Sequence, residues 1–160
     1  LNGEKISLEN IPEELSCKRA CFITLKKNGE LRGCIGSLRP ECDLCQNVLD
    51  NSCRAAFEDP RFPKLEKKEL DDIKIEISIL TEPQKLEYKD ENDLLEKLEP
   101  KKHGVILVKD KLSSTFLPQV WEQLPDKKAF LEQLSQKAGL RKDAWKDSEI
   151  YIYEVEKFSE

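Results

Sequence analysis

The chain has 160 residues, 38% of them apolar and 37% charged, with 32 acidic against 27 basic side chains and a net charge of −5. That length suffices for one domain burying roughly two-thirds of the surface its unfolded form exposes, so no disulfide scaffold is needed. The lysine pairs Lys26/Lys27, Lys67/Lys68, Lys101/Lys102 and Lys127/Lys128 sit among acids rather than in one basic patch, which argues against a nucleic-acid partner, and no apolar run approaches the ~20 residues of a membrane-spanning helix.

Residues 1–18 are polar and interrupted by Gly3 and Pro12, the pattern of an irregular lead-in with a short turn near Pro12 to Leu15. Ala20 to Lys26 is rich in β-formers, Asn28-Gly29 is the strongest short hairpin signal, and Leu31 to Ser37 supplies the return strand. Pairing Lys27 with Glu30 and counting back sets Leu25 opposite Arg32, Ile23 opposite Cys34 and Cys21 opposite Gly36. On that register Arg32, Cys34 and Gly36 share a face with Cys21, Ile23 and Leu25, while Phe22, Leu31 and Ile35 form the bulkier face expected to meet the core. Cys42 to Glu58 repeats Leu44, Cys45, Val48, Leu49, Ala55 and Ala56 at helical spacing, and Asp59-Pro60 ends the helix.

Ile73, Ile75, Ile77 and Ile79 alternate with Lys74, Glu76, Ser78 and Leu80, which predicts a strand with one buried face. Asn92 to Leu98 is a short helix, Val105 to Val108 a strand, and Leu112 to Phe116 its hairpin partner. Gln119 to Gln123 and Lys127 to Lys137 are helical, the second closed by Gly139 as a left-handed cap. Ile150 to Val155 alternates once more as a final strand. Hairpins rather than repeated crossovers connect these elements, so the class is α+β, a mostly antiparallel or mixed sheet flanked by helices, in a single domain over residues 1–160.

Six cysteines, Cys17, Cys21, Cys34, Cys42, Cys45 and Cys53, lie in the first third of the chain. A domain of this size has no need of stapling, which favours free thiols in a reducing compartment and hence a cytoplasmic location. No signal peptide is recognisable, but the chain opens at Leu1 without a methionine, so location rests on the thiols. Cys42-Asp43-Leu44-Cys45 opens a helix, where thiol pKa values fall and redox pairs work, yet Cys45 falls in the middle of the apolar arc and Cys42 and Cys53 at its edge, as packing residues would. Cys17, Cys21, Cys42 and Cys45 could supply four thiolates to zinc, a reading that no second feature supports. Free thiols with no structural metal and no cofactor are the expectation.

His103 is the only histidine, so any imidazole acid–base chemistry has one candidate, weighed against a loop histidine making a structural hydrogen bond. Arg61 follows the turn set by Asp59-Pro60 and is a candidate anion ligand. Trp121, with Phe116 and Pro118, packs a sheet edge. Cys34 stands between Gly33 and Gly36, which leave room for a ligand, and Arg32 on the same face would favour its thiolate; the alternative is an inert core thiol beneath a closely packed helix.

Leu31-Arg32-Gly33-Cys34-Ile35-Gly36 resembles the most distinctive motif of the AMMECR family, also called protein A of the AmmeMemoRadiSam system. Further matches follow in order: Ala55-Ala56-Phe57, Asp59-Pro60-Arg61-Phe62-Pro63, the Ile75 to Leu80 strand, His103-Gly104-Val105-Ile106-Leu107, Thr115 to Glu122 and Lys137-Ala138-Gly139-Leu140. The resemblance covers residues 20–155. It implies a two-lobed α+β domain, one lobe with an antiparallel sheet flanked by helices and a smaller lobe to which the termini contribute. It implies Memo-like and radical S-adenosylmethionine proteins as partners, but no established reaction. Of the cysteines only Cys34 lies in the shared motif. Two classes of function follow: a binding component that recognises a partner protein or small anionic ligand through Arg32, Gly33, Gly36 and Arg61, or an enzyme component using Cys34 as nucleophile or redox group with Arg32 and His103. Nucleophilic catalysis wants a base oriented by a third group, and a single histidine tips the balance towards binding. Neither substrate nor oligomeric state is legible.

Overall fold

Two residues of positive φ, Asn28 at 52° and Gly29 at 84°, reverse the chain between strands β1 (Cys21–Lys27) and β2 (Glu30–Gly36). Both central residues of a type I′ turn need this conformation, and Asn-Gly is the pair that adopts it at least cost. The computed structural model describes residues 11–40 and 42–159. The chain divides into two units, one running to Thr81 and resuming at Glu156, the other spanning Glu82–Val155.

The first unit holds a four-stranded sheet in the order β2-β1-β3-β8, with β3 at Ile73–Leu80 and β8 at Val155–Ser159, and the helix α1 at Leu44–Phe57. β1 and β3 run antiparallel with Cys21, Ile23 and Leu25 opposite Ile79, Ile77 and Ile75. These side chains share one face of the sheet, and Leu44, Val48, Ala55 and Ala56 of α1 pack on it. Burying each large aliphatic side chain here contributes on the order of 1.5–3 kcal/mol.

The second unit has its own sheet, β4-β7-β5-β6, formed by Gln84–Lys85, Glu149–Tyr153, Gly104–Lys109 and Leu112–Phe116. Helices α2 (Glu91–Lys97) and α3 (Lys127–Lys137) accompany it, each capped at its start by an aspartate side chain, Asp90 and Asp126. Leu94, Leu107, Trp121, Phe130, Leu134, Trp145 and Ile150 form its core, with the Trp121 and Phe130 rings stacked at a centroid distance of 3.6 Å. The fold is α+β with two antiparallel sheets, and among the described residues no helix is long and apolar enough to cross a membrane.

Most elements fall where periodicity places them. Differences arise where local signals are weak: the expected final strand breaks into β7 and β8, and β4 and the 3-10 turns at Lys67–Asp72 and Ala144–Asp147 had no pattern to announce them. The lead-in shows the turn at Glu13–Leu15, while residues 1–10 lie outside the described part.

The register of the first hairpin differs from the one counted back from the turn, and the difference matters. Lys27 faces Glu30 and Lys26 faces Leu31, but Leu25 faces Gly33, so Arg32 is an extra residue in a β-bulge. Beyond the bulge every side chain of β2 changes face. Ile35 joins Ile23 on the core face, and Cys34 stands opposite Thr24. Leu31, assigned to the core by the apolar bulk of its face, is 45% exposed, because α1 packs on the opposite face of β1, that of Cys21, Ile23 and Leu25. The physical reason for the bulge lies at Gly33, where a Cβ would be driven into the backbone carbonyl oxygen of Ala55 in α1. Gly33 has to lie beneath the helix, and a bulge is the way to put it there while carrying the bulk of Arg32 elsewhere. Gly33→Ala is therefore expected to lower the unfolding free energy by about 1–3 kcal/mol through overpacking, read from urea denaturation midpoints; an unchanged midpoint would show that α1 gives way freely.

Candidate functional site

Cys34 sits on the edge strand β2, half-buried, and both of its backbone polar groups point away from β1 into a clamp made by the turn after α1. Its N–H donates to Asp59 Oδ2 at 2.8 Å, and its carbonyl accepts from Arg61 Nη2 at 3.2 Å. Asp59 in turn accepts from the Arg61 backbone N–H at 3.1 Å and from Arg61 Nε and Nη2 at 3.0 and 2.7 Å. The Asp59–Arg61 pair thus presents an acceptor and a donor to the sheet edge as another strand would, which protects an edge otherwise open to strand addition. Asp59 is buried, and the hydrogen bonds from Arg61, reinforced by the Cys34 N–H, hold its carboxyl well below the usual range. The same contact raises Arg61, with a smaller contribution from the Cys34 sulfur beside it.

The Cys34 thiol accepts a hydrogen bond from Thr24 Oγ1 at 3.3 Å. Across the sheet in the same row, Thr24 faces Glu76, whose carboxylate takes Lys26 at 3.1 Å and Lys157 at 3.9 Å. Arg61 remains 54% exposed along its side chain and lies over the Phe62 ring at 5.5 Å.

Arg32 does not share the face of Cys34. The bulge sends it to Glu69, with Nε donating to Oε1 at 3.1 Å and Nη2 to Oε2 at 3.0 Å, while Lys27 reaches the same carboxylate at 3.1 Å. Nη1 is buried without a partner among the described residues. Glu69 also accepts the Glu66 N–H in a capping box that holds the Lys67–Asp72 turn in place. Arg32 is thereby committed to a structural pair, and its expected role as an anion ligand beside Cys34 is not assembled.

His103 belongs to the second unit and is buried. Its Nδ1 accepts the Glu99 N–H at 3.1 Å, and its carbonyl accepts Trp121 Nε1 at 2.7 Å. Desolvation pushes its pKa down, which keeps the ring neutral and suited to accepting the Glu99 N–H. Gly104 follows because a Cβ there would enter the Tyr153 ring. The His-Gly pair fixes the entry to β5.

All six cysteines are unbridged, with Cys17 and Cys53 exposed and Cys21 buried. Cys45, placed mid-arc by helical spacing, is only half-buried; the buried line of α1 runs through Leu44, Asn47, Asn51 and Ala55 instead. Two asparagines inside a helix gave periodicity nothing apolar to register. Among the described residues no group of three or more His, Cys, Asp or Glu side chains is arranged to hold a metal ion. The sequence undervalued Asp59 as a turn-setter. It does set the turn, through its bond to the N–H two residues on, but its reach to the Cys34 N–H is a long-range contact no local pattern shows.

A family model for AMMECR1 matches residues 1–158. The chain belongs to the AMMECR1 family. Protein NEQ441 of Nanoarchaeum equitans is 42% identical over 156 residues, spanning 95% of this chain and 87% of its own length. Protein MK0488 of Methanopyrus kandleri is 41% identical over 169 residues, spanning 99% and 80%. The crystal structure of the uncharacterized protein PH0010 from Pyrococcus horikoshii superposes with a TM-score of 0.84 at 33% identity, covering 99% of this chain and 82% of that one. The fold of this chain is thus similar to that of PH0010 over almost all of its length.

Two titrations test these assignments. The folded pKa of His103 lies below its unfolded value, so its contribution is complete above about pH 6.5 and lost as pH falls through the folded value. His103→Gln is expected to flatten the stability difference between pH 7.5 and 5.5 in urea unfolding, and an unaltered slope would remove the histidine from that role. Glu69 is pulled down to about 2, first by Arg32, so its contribution is present above its ordinary value of 4.5 and disappears as pH falls towards 2. Acid unfolding of Glu69→Gln should begin from a lower stability and show a shallower dependence in that window; a curve parallel to wild type would count against the pairing.

Proposed function

We propose that this AMMECR1-family chain acts as a binding component rather than a catalyst, and that the surface around Cys34 is where it meets a partner protein. The observation that carries this reading is the commitment of the charged groups nearest the thiol. Asp59 is held ionised by Arg61 and two backbone N–H groups, Glu76 is held by Lys26 and Lys157, and Arg32 by Glu69. A nucleophilic cysteine needs a neighbour that accepts its proton near neutral pH and a third group that orients that neighbour. Asp59 and Glu69 are held well below the usual carboxylate range, Glu76 is engaged by its two lysines, and His103 is spent on Glu99.

What the site offers instead suits recognition. Arg61 over the Phe62 ring, with exposed Leu31 and the half-open Cys34 on the same edge strand, combines arginine, aromatic and aliphatic surface of the kind that concentrates binding energy in protein interfaces. The family's association with Memo-like and radical S-adenosylmethionine proteins names the partners to try.

Biolayer interferometry with each purified partner should give a dissociation constant tighter than about 100 µM, and Arg61→Ala should weaken it about tenfold. Cys34→Ala should weaken it too while leaving the urea midpoint close to wild type. Failure of both partners to bind, or binding indifferent to both substitutions, would overturn the reading.

A further inference from the structure

Helix α1 carries asparagine where an amphipathic helix carries aliphatic residues. Asn47 and Asn51, one turn apart, are 6% and 2% exposed. Asparagine is a weak helix former, and a buried amide is unfavourable unless it is hydrogen-bonded. Part of the compensation is internal: Asn47 Nδ2 donates to the Arg19 carbonyl at 2.9 Å, and Asn51 Nδ2 donates to Asn47 Oδ1 at 2.7 Å and meets Cys21 Sγ at 3.8 Å. An amide oxygen has two lone pairs. That of Asn51 meets only Arg54 Nη1, at 3.5 Å, among the described residues.

Both amides line a cleft of about 400 Å³ whose walls carry Asp50, Arg54 and Glu58, a volume within the range of small-molecule sites. Arg54 is held there loosely. Besides its long bond to Asn51 it reaches Glu58 at 3.4 Å, and half of its side chain is exposed. Among the described residues Asp50 accepts a bond from Gln46, at 2.7 Å on Oδ1. The cleft therefore joins a half-exposed cation held by two long contacts, an exposed carboxylate one helical turn before it, and a buried amide oxygen that accepts one long bond among the described residues. Groups four apart on a helix are neighbours, with Cβ atoms about 5–6 Å from one another, so one small ligand can engage both charges.

We propose that this cleft binds a small zwitterion of the amino-acid type, with its ammonium held by Asp50 and the Asn51 amide oxygen and its carboxylate held by Arg54. A simple anion would meet Asp50 and Glu58 unfavourably. A simple cation would leave Arg54 in place as a repelling neighbour. A ligand bearing both charges meets each with its opposite, in a pocket whose buried floor strengthens the pairing. The site is separate from the Cys34 surface, and Cys53, exposed in the wall of the same cleft, supplies a built-in reporter.

The test uses the ¹⁵N-labelled 160-residue chain titrated with L-glutamine, and in parallel with putrescine, which has only ammonium groups, and glutarate, which has only carboxylates. Glutamine should shift the side-chain amide signals of Asn47 and Asn51 saturably below about 10 mM and slow alkylation of Cys53 by iodoacetamide severalfold. Arg54→Ala and Asp50→Asn, both at exposed positions, should each weaken glutamine binding about tenfold. Cys34→Ala should leave it unchanged, which separates this site from the partner-binding surface. Absence of a saturable shift, equal binding of putrescine or glutarate, or full binding by either α1 variant would overturn the proposal.

Discussion

The close approach of α1 to β2 is the constraint on which the first unit turns. With the Ala55 carbonyl lying over residue 33, only glycine fits, and the bulge that delivers Gly33 to this place also decides where its neighbours go. Arg32 is displaced to Glu69, Ile35 enters the core, and Cys34 is turned to the face that α1 does not cover. An alternation without the bulge would put Cys34 opposite Ile23, beneath the helix. The half-open thiol is a consequence of packing a helix tightly, not of the thiol's own preferences.

The same device recurs in the second unit. Gly104 admits the Tyr153 ring as Gly33 admits the helix backbone, and in each case the preceding residue bonds the local scaffold, His103 through Nδ1 and Arg32 through Nε and Nη2. The motif residues that look most like catalytic equipment on paper are thus largely occupied in holding the chain. Asp59 and Arg61 extend the pattern by completing the edge of β2 with side chains. Their opposite charges cancel locally.

Periodicity and turn chemistry made most of this legible in advance. Asn28-Gly29, the isoleucines of β3 and the helix closed by Gly139 each carry a signal within a few residues of sequence, because the physics that forms them is local. The face of Cys34 was not legible, since one unpaired residue inverts a strand and nothing in Leu31-Arg32-Gly33 announces the bulge; the clue was the glycine, whose reason lies in Ala55, more than twenty residues on. The buried line of α1 was missed for a related reason. Asn47 and Asn51 lie outside the apolar repeat, and their bonds to the Arg19 carbonyl and the Cys21 sulfur reach across the fold.

β8 comes from the last residues of the chain yet pairs in the first unit's sheet, beside β3, where Glu156 meets Arg19 at 3.1 Å across 137 positions of sequence. The second unit is therefore an insertion into the first. A chain emerging from the ribosome can complete the hairpin, α1 and β3 early, but β3 keeps an unpaired edge for the whole time the 74 residues of Glu82–Val155 are being made. Unpaired strand edges recruit other strands. The fourth strand of the first sheet is thus available only after the whole second unit has been made.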